Sequence, residues 1–253
     1  MLNDAPRFDA ARAASIARDI YGIDVTVSPL PSERDQNFLL TDAAGHRRVL
    51  KISNAGEARA MLEAQQAVMA HVASRAPLCP RPMPTAKGEA MAEVSDETGR
   101  SHFVWVVSHL PGRPLGLVPH RSATLLEDFG RAIASLGCAL ADFDHPAVHR
   151  DFHWDLANAR AVIDEYRSLV TDAELGRAID TIVTRFDEHV RPVLGTLPRR
   201  TIHGDLNDYN VLVAGHVASP DGVHVSGIVD FGDMVESYGV ADLAIAAAYM
   251  MLG

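Results

Sequence analysis

Two short segments near the carboxyl end of this 253-residue chain constrain its fold more than any other feature. Residues 201–210 read TIHGDLNDYN, and residues 229–233 read VDFGD. Together they place three polar side chains in a fixed order, with Asn210 five residues after Asp205 and Asp230 twenty residues after Asn210. An apolar run of the kind that forms a β-strand adjoins each segment. The three side chains are therefore expected at strand ends, facing a cleft.

This order and spacing of side chains suits phosphoryl transfer. In such sites one carboxylate orients the attacking hydroxyl and takes its proton, while an amide and a second carboxylate hold Mg²⁺ on the nucleotide phosphates. The spacing predicts Asp205 as the catalytic base and Asn210 and Asp230 as the Mg²⁺ ligands. Each alone is also a common turn or strand-end residue. The compound motif favours the catalytic interpretation for all three together.

A lysine in the first half of the chain is the predicted phosphate ligand. Lys51 lies in a strand-like run, residues 48–52, and a helical pattern follows it. A lysine between apolar neighbours points to the opposite face of its strand, which is often solvent. The order of strand, lysine, helix, hinge and then the two motifs favours contact with a nucleotide instead.

The helix after Lys51 is predicted to begin near Ser53, with Asn54 as its N-cap and Glu57 as the capping-box partner. Steps of 100° per residue place one buried stripe along it. The stripe consists of Met61, Gln65, Val68, Met69 and Val72. Gln65 is thus the inward polar residue, and its amide oxygen is predicted to accept a hydrogen bond from Lys51. The alternative is that Gln65 satisfies a backbone group.

The loop expected to cover the phosphates is unusual. Residues 29–40, between the first two predicted strands, contain no glycine. Backbone amides, the Ser32 hydroxyl and the Arg34 guanidinium are therefore predicted to contact the nucleotide.

The order of elements indicates an α+β chain of two lobes. A helical pattern at 9–21, strand-like runs at 25–27, 37–40, 48–52 and 102–107, and one internal helix make up the first part. After the break at 110–114 the pattern is mostly helical, at about 121–142 and 166–190. We predict a nucleotide-binding N-lobe over 1–110 and a C-lobe over 111–253 that carries the motifs, with the cleft between them.

The composition and net charge indicate which classes of molecule the chain can bind and where it is located. The net charge of −10 disfavours nucleic acid and is compatible with a cationic substrate. Cys79 and Cys138 lack metal-site spacing and are predicted to be reduced thiols. The amino-terminal residues lack a signal-peptide pattern, and the longest apolar run, 244–252, is too short to span a bilayer. These features predict a cytoplasmic protein without a membrane partner.

The two motifs, together with residues 241–244 (ADLA), resemble those of the aminoglycoside phosphotransferase and choline kinase superfamily. Within it, residues 49–53, 63–65 and 227–234 are similar to those of hydroxylysine kinase-like phosphotransferases, including a glutamine where the superfamily has a glutamate. The resemblance implies a protein-kinase-like fold, with an antiparallel sheet and a helix in the N-lobe.

It also implies transfer of the γ-phosphate of ATP or GTP, with Mg²⁺, to a hydroxyl of a small amino alcohol such as 5-hydroxylysine. Asp208, Asp233 and Glu236 would then help bind the substrate ammonium, although Asp208 could serve a structural hydrogen bond instead. Homoserine, choline, ethanolamine, a thio-sugar or an aminoglycoside remain alternative acceptors. A non-catalytic nucleotide-binding module of a larger enzyme remains a different class of function.

Superfamily members usually continue for several helices beyond the ADLA segment. This sequence stops at Gly253 on an apolar run. The resemblance therefore leads us to expect an incomplete C-lobe, with further domains possible beyond it.

Overall fold

The computed structural model describes residues 5–32, 34–215 and 222–252; Gly253 lies outside that range. Its first helix, α1 (Ala10–Tyr21), matches the predicted one. Asp9 caps the helix by accepting a hydrogen bond from the Arg12 N–H, and Gly22 ends it in the left-handed conformation.

A six-stranded antiparallel sheet forms the core of the first part of the chain. Its strands are β1 (Val25–Leu30), β2 (Gln36–Asp42), β3 (Arg47–Ile52), β4 (Pro82–Met83), β5 (Ala92–Ser95) and β6 (Ser101–Ser108). The spatial order is β1-β2-β3-β6-β4, and β5 pairs with β6. The four strand-like runs named from the sequence are confirmed, each lying within a somewhat longer strand.

The predicted start of the second helix is wrong. Helix α2 spans Arg59–Val72, and its N-cap position, Ala58, offers no side-chain hydrogen bond. Asn54 instead closes a local turn, because its side-chain oxygen accepts the N–H of Gly56 at 2.9 Å. Its own N–H is donated to the Asp35 carboxylate at 2.9 Å. These bonds hold residue 54 outside the helix, whereas the predicted inward stripe with Gln65 is buried as expected.

The second part begins with β7 (Arg113–Pro114) and contains α3 (Ala123–Ala139), α4 (Ala159–Tyr166), α5 (Ala173–His189), β8 (Arg199–Ile202), β9 (Val211–Gly215), β10 (Val223–Ile228), β11 (Val235–Tyr238) and α6 (Ala241–Met251). The helix predicted over 166–190 is shorter, since Asp172 caps α5 by accepting two backbone N–H groups. The sequence reading missed α4. Strands β10, β9 and β7 form one small sheet, and β11 pairs with β8.

The large sheet is covered on both faces. Alternate residues of β6 face opposite sides: Val104 and Val106 pack in the cluster that includes α1, while Trp105 and Val107 belong to the other cluster. That second cluster extends from α2 through Phe129 of α3 to residues beyond β10. The architecture is therefore the expected α+β, protein-kinase-like one. No helix in the described parts of the chain is both long and apolar enough to cross a membrane.

The turn between β2 and β3 depends on one carboxylate. Asp42 accepts hydrogen bonds from the N–H groups of Ala44 and His46 and from the Arg48 guanidinium. The bond from Arg48 is the main cause that lowers the pKa of Asp42 from 3.8 to about 2. A carboxyl whose pKa is lower in the folded chain contributes stability above its unfolded pKa and loses it as the pH falls toward the folded value.

We therefore expect Asp42→Asn to reduce the free energy of unfolding near neutral pH and to have a smaller effect at about pH 3. The unchanged chain loses the contribution of Asp42 between its unfolded pKa and its folded pKa, so the two proteins converge. Urea unfolding of both proteins across this pH range measures the difference. A difference that does not change with pH would contradict the assignment.

Candidate active site

Strand β3 presents Lys51 to the second motif. The Lys51 ammonium lies 3.7 Å from the Asp230 carboxylate, and the lysine side chain is only 14% exposed. Leu50 and Ile52 point to the α1 side of the sheet, so Lys51 points to the opposite side, where its ammonium lies 5.7 Å from the centre of the Trp105 ring. Lys51 therefore faces the cleft and not open solvent.

The first motif forms the loop between β8 and β9. Asp205 accepts hydrogen bonds at 2.8 Å from the side-chain amides of Asn207 and Asn210, one on each carboxylate oxygen. Asn210 also donates to the backbone carbonyl of Asp205 at 3.0 Å. Burial raises the pKa of Asp205 above its ordinary value, although the hydrogen bond from Asn207 opposes the shift. The loop thus presents an oriented, partly desolvated carboxylate.

A buried carboxylate holds the start of this loop. Asp242, at the beginning of α6, accepts the N–H groups of His203 and Gly204, each at 3.0 Å. The His203 ring in turn contacts the carbonyl of Val229, the first residue of the second motif, at 3.1 Å. These bonds connect α6, the loop of the first motif and the end of β10. The sequence reading treated Asp242 only as part of a resemblance and missed this role.

Asp230 has an unusual backbone. Its φ of 66° makes it the one non-glycine residue with a positive φ among those the structure describes. The N–H of Gly232 donates to its carboxylate at 3.3 Å. The Lys51 charge lowers the pKa of Asp230, so the group is ionised over a wider pH range.

Asn210 and Asp230 fit a hard cation. The side-chain N–H groups of Asn210 point to Asp205, and within the described part of the chain the Asn210 side-chain oxygen has no hydrogen-bond partner. The Asp230 side chain is 55% exposed and presents carboxylate oxygens to the cleft. Carboxylate and amide oxygens, completed by phosphates and water, are the donors that Mg²⁺ prefers.

The glycine-free loop between β1 and β2 reaches across to the second motif. The Arg34 guanidinium pairs with the Asp233 carboxylate at 3.0 Å. Ser32 accepts a hydrogen bond from the Asn37 side chain at 3.3 Å. The loop is further held by Asp35, a residue that the sequence reading missed, whose carboxylate accepts the N–H of Asn54. Burial raises the pKa of Asp35, and the nearby Lys51 charge opposes that shift.

Gln65 approaches the same region but not the predicted partner. Among the described residues, Gln65 and Lys51 share no hydrogen bond, because Lys51 faces Asp230 instead. The Gln65 side chain is buried, and its amide nitrogen lies 4.0 Å from the point that a Cβ on Gly232 would occupy. Gln65 therefore lies beside the second motif, on the side of α2.

The three carboxylates predicted to bind the substrate ammonium are each paired with an arginine. Asp208 pairs with Arg121 at 2.9 Å, and both side chains are largely buried, which agrees with the structural alternative for Asp208. Glu236 pairs with Arg199 at 2.8 Å. Asp233 has Arg34 as its partner. A substrate role for any of them stays a prediction and requires an ion pair to open.

Gly204 lies where the two motifs touch. It has a φ of +82°, and a Cβ at this position would overlap the carbonyl oxygen of Asp233.

We expect Gly204→Ala to lower the free energy of unfolding by on the order of 2 kcal/mol and to abolish catalysis, because the loop must shift. The matched control is Gly130→Ala in α3, where a Cβ meets nothing within 4 Å.

The control should keep full activity and gain about 0.5–1 kcal/mol, the usual preference for alanine in a helix. Urea unfolding and an activity assay of both variants measure the contrast. Equal behaviour of the two variants would show that the close approach at Gly204 is unimportant.

Comparison with known proteins identifies the family to which the chain is similar. The model of the phosphotransferase enzyme family (APH) matches residues 26–252. The hydroxylysine kinase of Xenopus laevis is 32% identical over 270 residues, which cover 99% of this chain and 71% of the relative. That of Mus musculus is 34% identical over 272 residues, covering 98% and 70%. A homoserine kinase of Methylobacillus flagellatus is 30% identical over 186 residues, covering 71% of this chain and 49% of the relative.

Solved structures show the same fold at low sequence identity. A microcompartment-associated aminopropanol kinase superposes with a TM-score of 0.68 at 18% identity, over 94% of this chain and 74% of that one. An amicoumacin kinase in complex with AMP-PNP, Ca²⁺ and Ami has the same TM-score at 15% identity, over 97% and 70%.

Proposed function

The chain belongs to the phosphotransferase enzyme family, and from that premise we propose that it is a kinase that transfers the γ-phosphate of ATP or GTP to a hydroxyl of an amino alcohol such as 5-hydroxylysine. The proposal rests on one observation: side chains from the two lobes meet at the same place. Lys51 of the sheet lies 3.7 Å from Asp230, and Asn210 of the same site is bonded to Asp205.

Asp205 acts as the base in this proposal. The amides of Asn207 and Asn210 fix both of its oxygens, so the carboxylate has a defined direction toward the acceptor hydroxyl. In a loose transition state the position of the nucleophile matters more than early removal of its proton. The raised pKa of Asp205 suits it to receive that proton as the phosphoryl group is transferred.

Asn210 and Asp230 would hold Mg²⁺ through the side-chain carbonyl and the carboxylate. Bound there, the ion would supply charge neutralisation for the nucleotide phosphates. Lys51 is the proposed phosphate ligand, since its ammonium already lies beside the Asp230 carboxylate. Arg34, Ser32 and Gln65 complete the proposed nucleotide contacts from the β1–β2 loop and α2.

The relatives support an acceptor with both an amino group and a hydroxyl. Two hydroxylysine kinases match nearly the whole chain, which makes 5-hydroxylysine the first choice. Homoserine is the second candidate, favoured by the homoserine kinase that matches 71% of the chain. Asp233 is the proposed ammonium ligand, because it alone of the three predicted carboxylates lies in the loop that carries Asp230.

An acceptor panel tests the proposal. We expect the release of nucleoside diphosphate from ATP or GTP, in the presence of Mg²⁺, to depend on 5-hydroxylysine. Homoserine, choline, ethanolamine and an aminoglycoside are tested separately as alternative acceptors. Lysine is the matched control, since it lacks only the hydroxyl that would be phosphorylated. Turnover on homoserine alone would move the assignment to the second candidate. Tight nucleotide binding without turnover on any acceptor would favour a non-catalytic module.

The role of Asp205 has its own test. We expect Asp205→Asn to lower kcat by about 10²- to 10⁴-fold, the usual contribution of a positioned base, while the affinity for the Mg²⁺–nucleotide complex is kept. Asp230→Ala should instead weaken that affinity. Asp180→Asn serves as a control, since this exposed carboxylate pairs with Arg167 on the helical surface. Steady-state kinetics and calorimetry measure the three variants, and full activity of Asp205→Asn would refute the mechanism.

A further inference from the structure

The loop that follows Asp230 has a strained start. A non-glycine residue with a φ of 66° carries a conformational cost and persists only where surrounding contacts hold it. The bond from the Gly232 N–H to the Asp230 carboxylate, at 3.3 Å, is long and lies within the loop itself. Contacts from outside the loop must therefore hold much of the loop in its observed conformation.

Arg150, in the segment between α3 and α4, makes such contacts. Its guanidinium donates to the carbonyl of Gly232 at 3.1 Å and to the carbonyl of Met234 at 3.2 Å. The two acceptors flank Asp233, so one planar group spans the turn of the loop. A guanidinium has donors in a fixed fork that suits two acceptors at once.

The guanidinium is itself held in place. It lies 4.0 Å from the centre of the Phe152 ring, and Phe152 packs against the small cluster of Ile202, Val235 and Ala241. Ile202 directly precedes the loop of the first motif, and Ala241 directly precedes Asp242. The cluster behind Arg150 therefore adjoins the residues that begin and hold that loop.

The segment around Arg150 is also fixed to β11. The Asp155 carboxylate accepts a hydrogen bond from the Ser237 hydroxyl at 2.6 Å, and both residues are buried. Burial lowers the pKa of Arg150, and the nearby carboxylates of Asp233 and Glu57 oppose that shift, whereas the Arg34 charge adds to it. Arg150 thus completes a group of two cations and two anions from both lobes beside the second motif.

We propose that Arg150 is a positioning residue, which holds residues 230–234 in the shape that presents the Asp230 carboxylate to Mg²⁺. The inference rests on the proposed function, because it takes Asp230 as a Mg²⁺ ligand. Among the described residues, the hydrogen bonds from Arg150 to this loop go to backbone carbonyls, so Arg150 would act on the metal through Asp230. Residues that orient a metal ligand in this way commonly contribute 10- to 100-fold to metal affinity.

The test compares ADP binding with Mg²⁺ and with EDTA, by calorimetry on the full chain. Arg150→Lys and Arg150→Ala should weaken binding of ADP in the presence of Mg²⁺ by about tenfold and leave binding in EDTA unchanged. The lysine variant keeps the positive charge but cannot bridge both carbonyls, so it separates the effect of the two hydrogen bonds from the effect of the charge. Added guanidinium ion should restore part of the Mg²⁺ effect in Arg150→Ala and none in Arg150→Lys, which still fills the site.

Arg131→Lys is the matched control, because Arg131 pairs with Glu127 on the exposed face of α3. It should bind ADP like the unchanged chain under both conditions. If the Arg150 variants retain full affinity with Mg²⁺, or lose affinity equally with Mg²⁺ and with EDTA, the inference is overturned. If Mg²⁺ does not strengthen ADP binding to the unchanged chain, or if Asp230→Ala keeps the Mg²⁺ effect, the proposed function fails first.

Discussion

The carboxylate of Asp242 is the interaction on which the rest of the site depends. It lies buried at the start of α6 and accepts the backbone N–H groups of both His203 and Gly204. A buried carboxylate is stable only when hydrogen bonds or charges replace its water, and here two backbone donors do so. The same bonds direct the chain from β8 into the loop of the first motif. Because His203 also contacts the carbonyl of Val229, the position of the loop determines the position of the second motif.

Across the cleft, two ion pairs join the lobes. Lys51 faces Asp230, and Arg34 pairs with Asp233, so a lysine of β3 and an arginine of the β1–β2 loop reach the same short loop. The β1–β2 loop has no glycine, and side-chain bonds define its shape: Asn54 donates its N–H to the Asp35 carboxylate and its side-chain amide to the carbonyl of Arg34. A glycine-rich loop contacts phosphates through flexible backbone. In this loop the Arg34 guanidinium pairs with Asp233, and a contact with the nucleotide is part of the proposed function.

Much of the fold could be predicted from local patterns. The strands of the large sheet and the buried stripe of α2 follow from hydrophobic periodicity, which reports directly on burial. The start of α2 was misplaced, because Asn54 looks like a helix cap but bonds to Gly56 and to a distant aspartate. The predicted hydrogen bond between Lys51 and Gln65 depended on the distance between β3 and α2 in space, which the sequence does not give. Arg150 and Asp35 carried no local signal at all, since their contacts are with backbone groups far along the chain.

The sequence by itself determined the chemistry that is available: a carboxylate, an amide and a second carboxylate in the order and spacing of a phosphotransferase, with a lysine ahead of them. Those features depend on neighbouring residues or on the order of residues along the chain, so residue types and their spacing are enough to identify them. Only the tertiary structure decided which carboxylates face the cleft and which are neutralised by arginines. Arg34 and its partner Asp233 are 199 residues apart, and Arg121 and Asp208 are 87 apart. Pairing over such separations depends on how the lobes pack, because a charge interacts with whatever lies nearest in space and not with its neighbours in sequence.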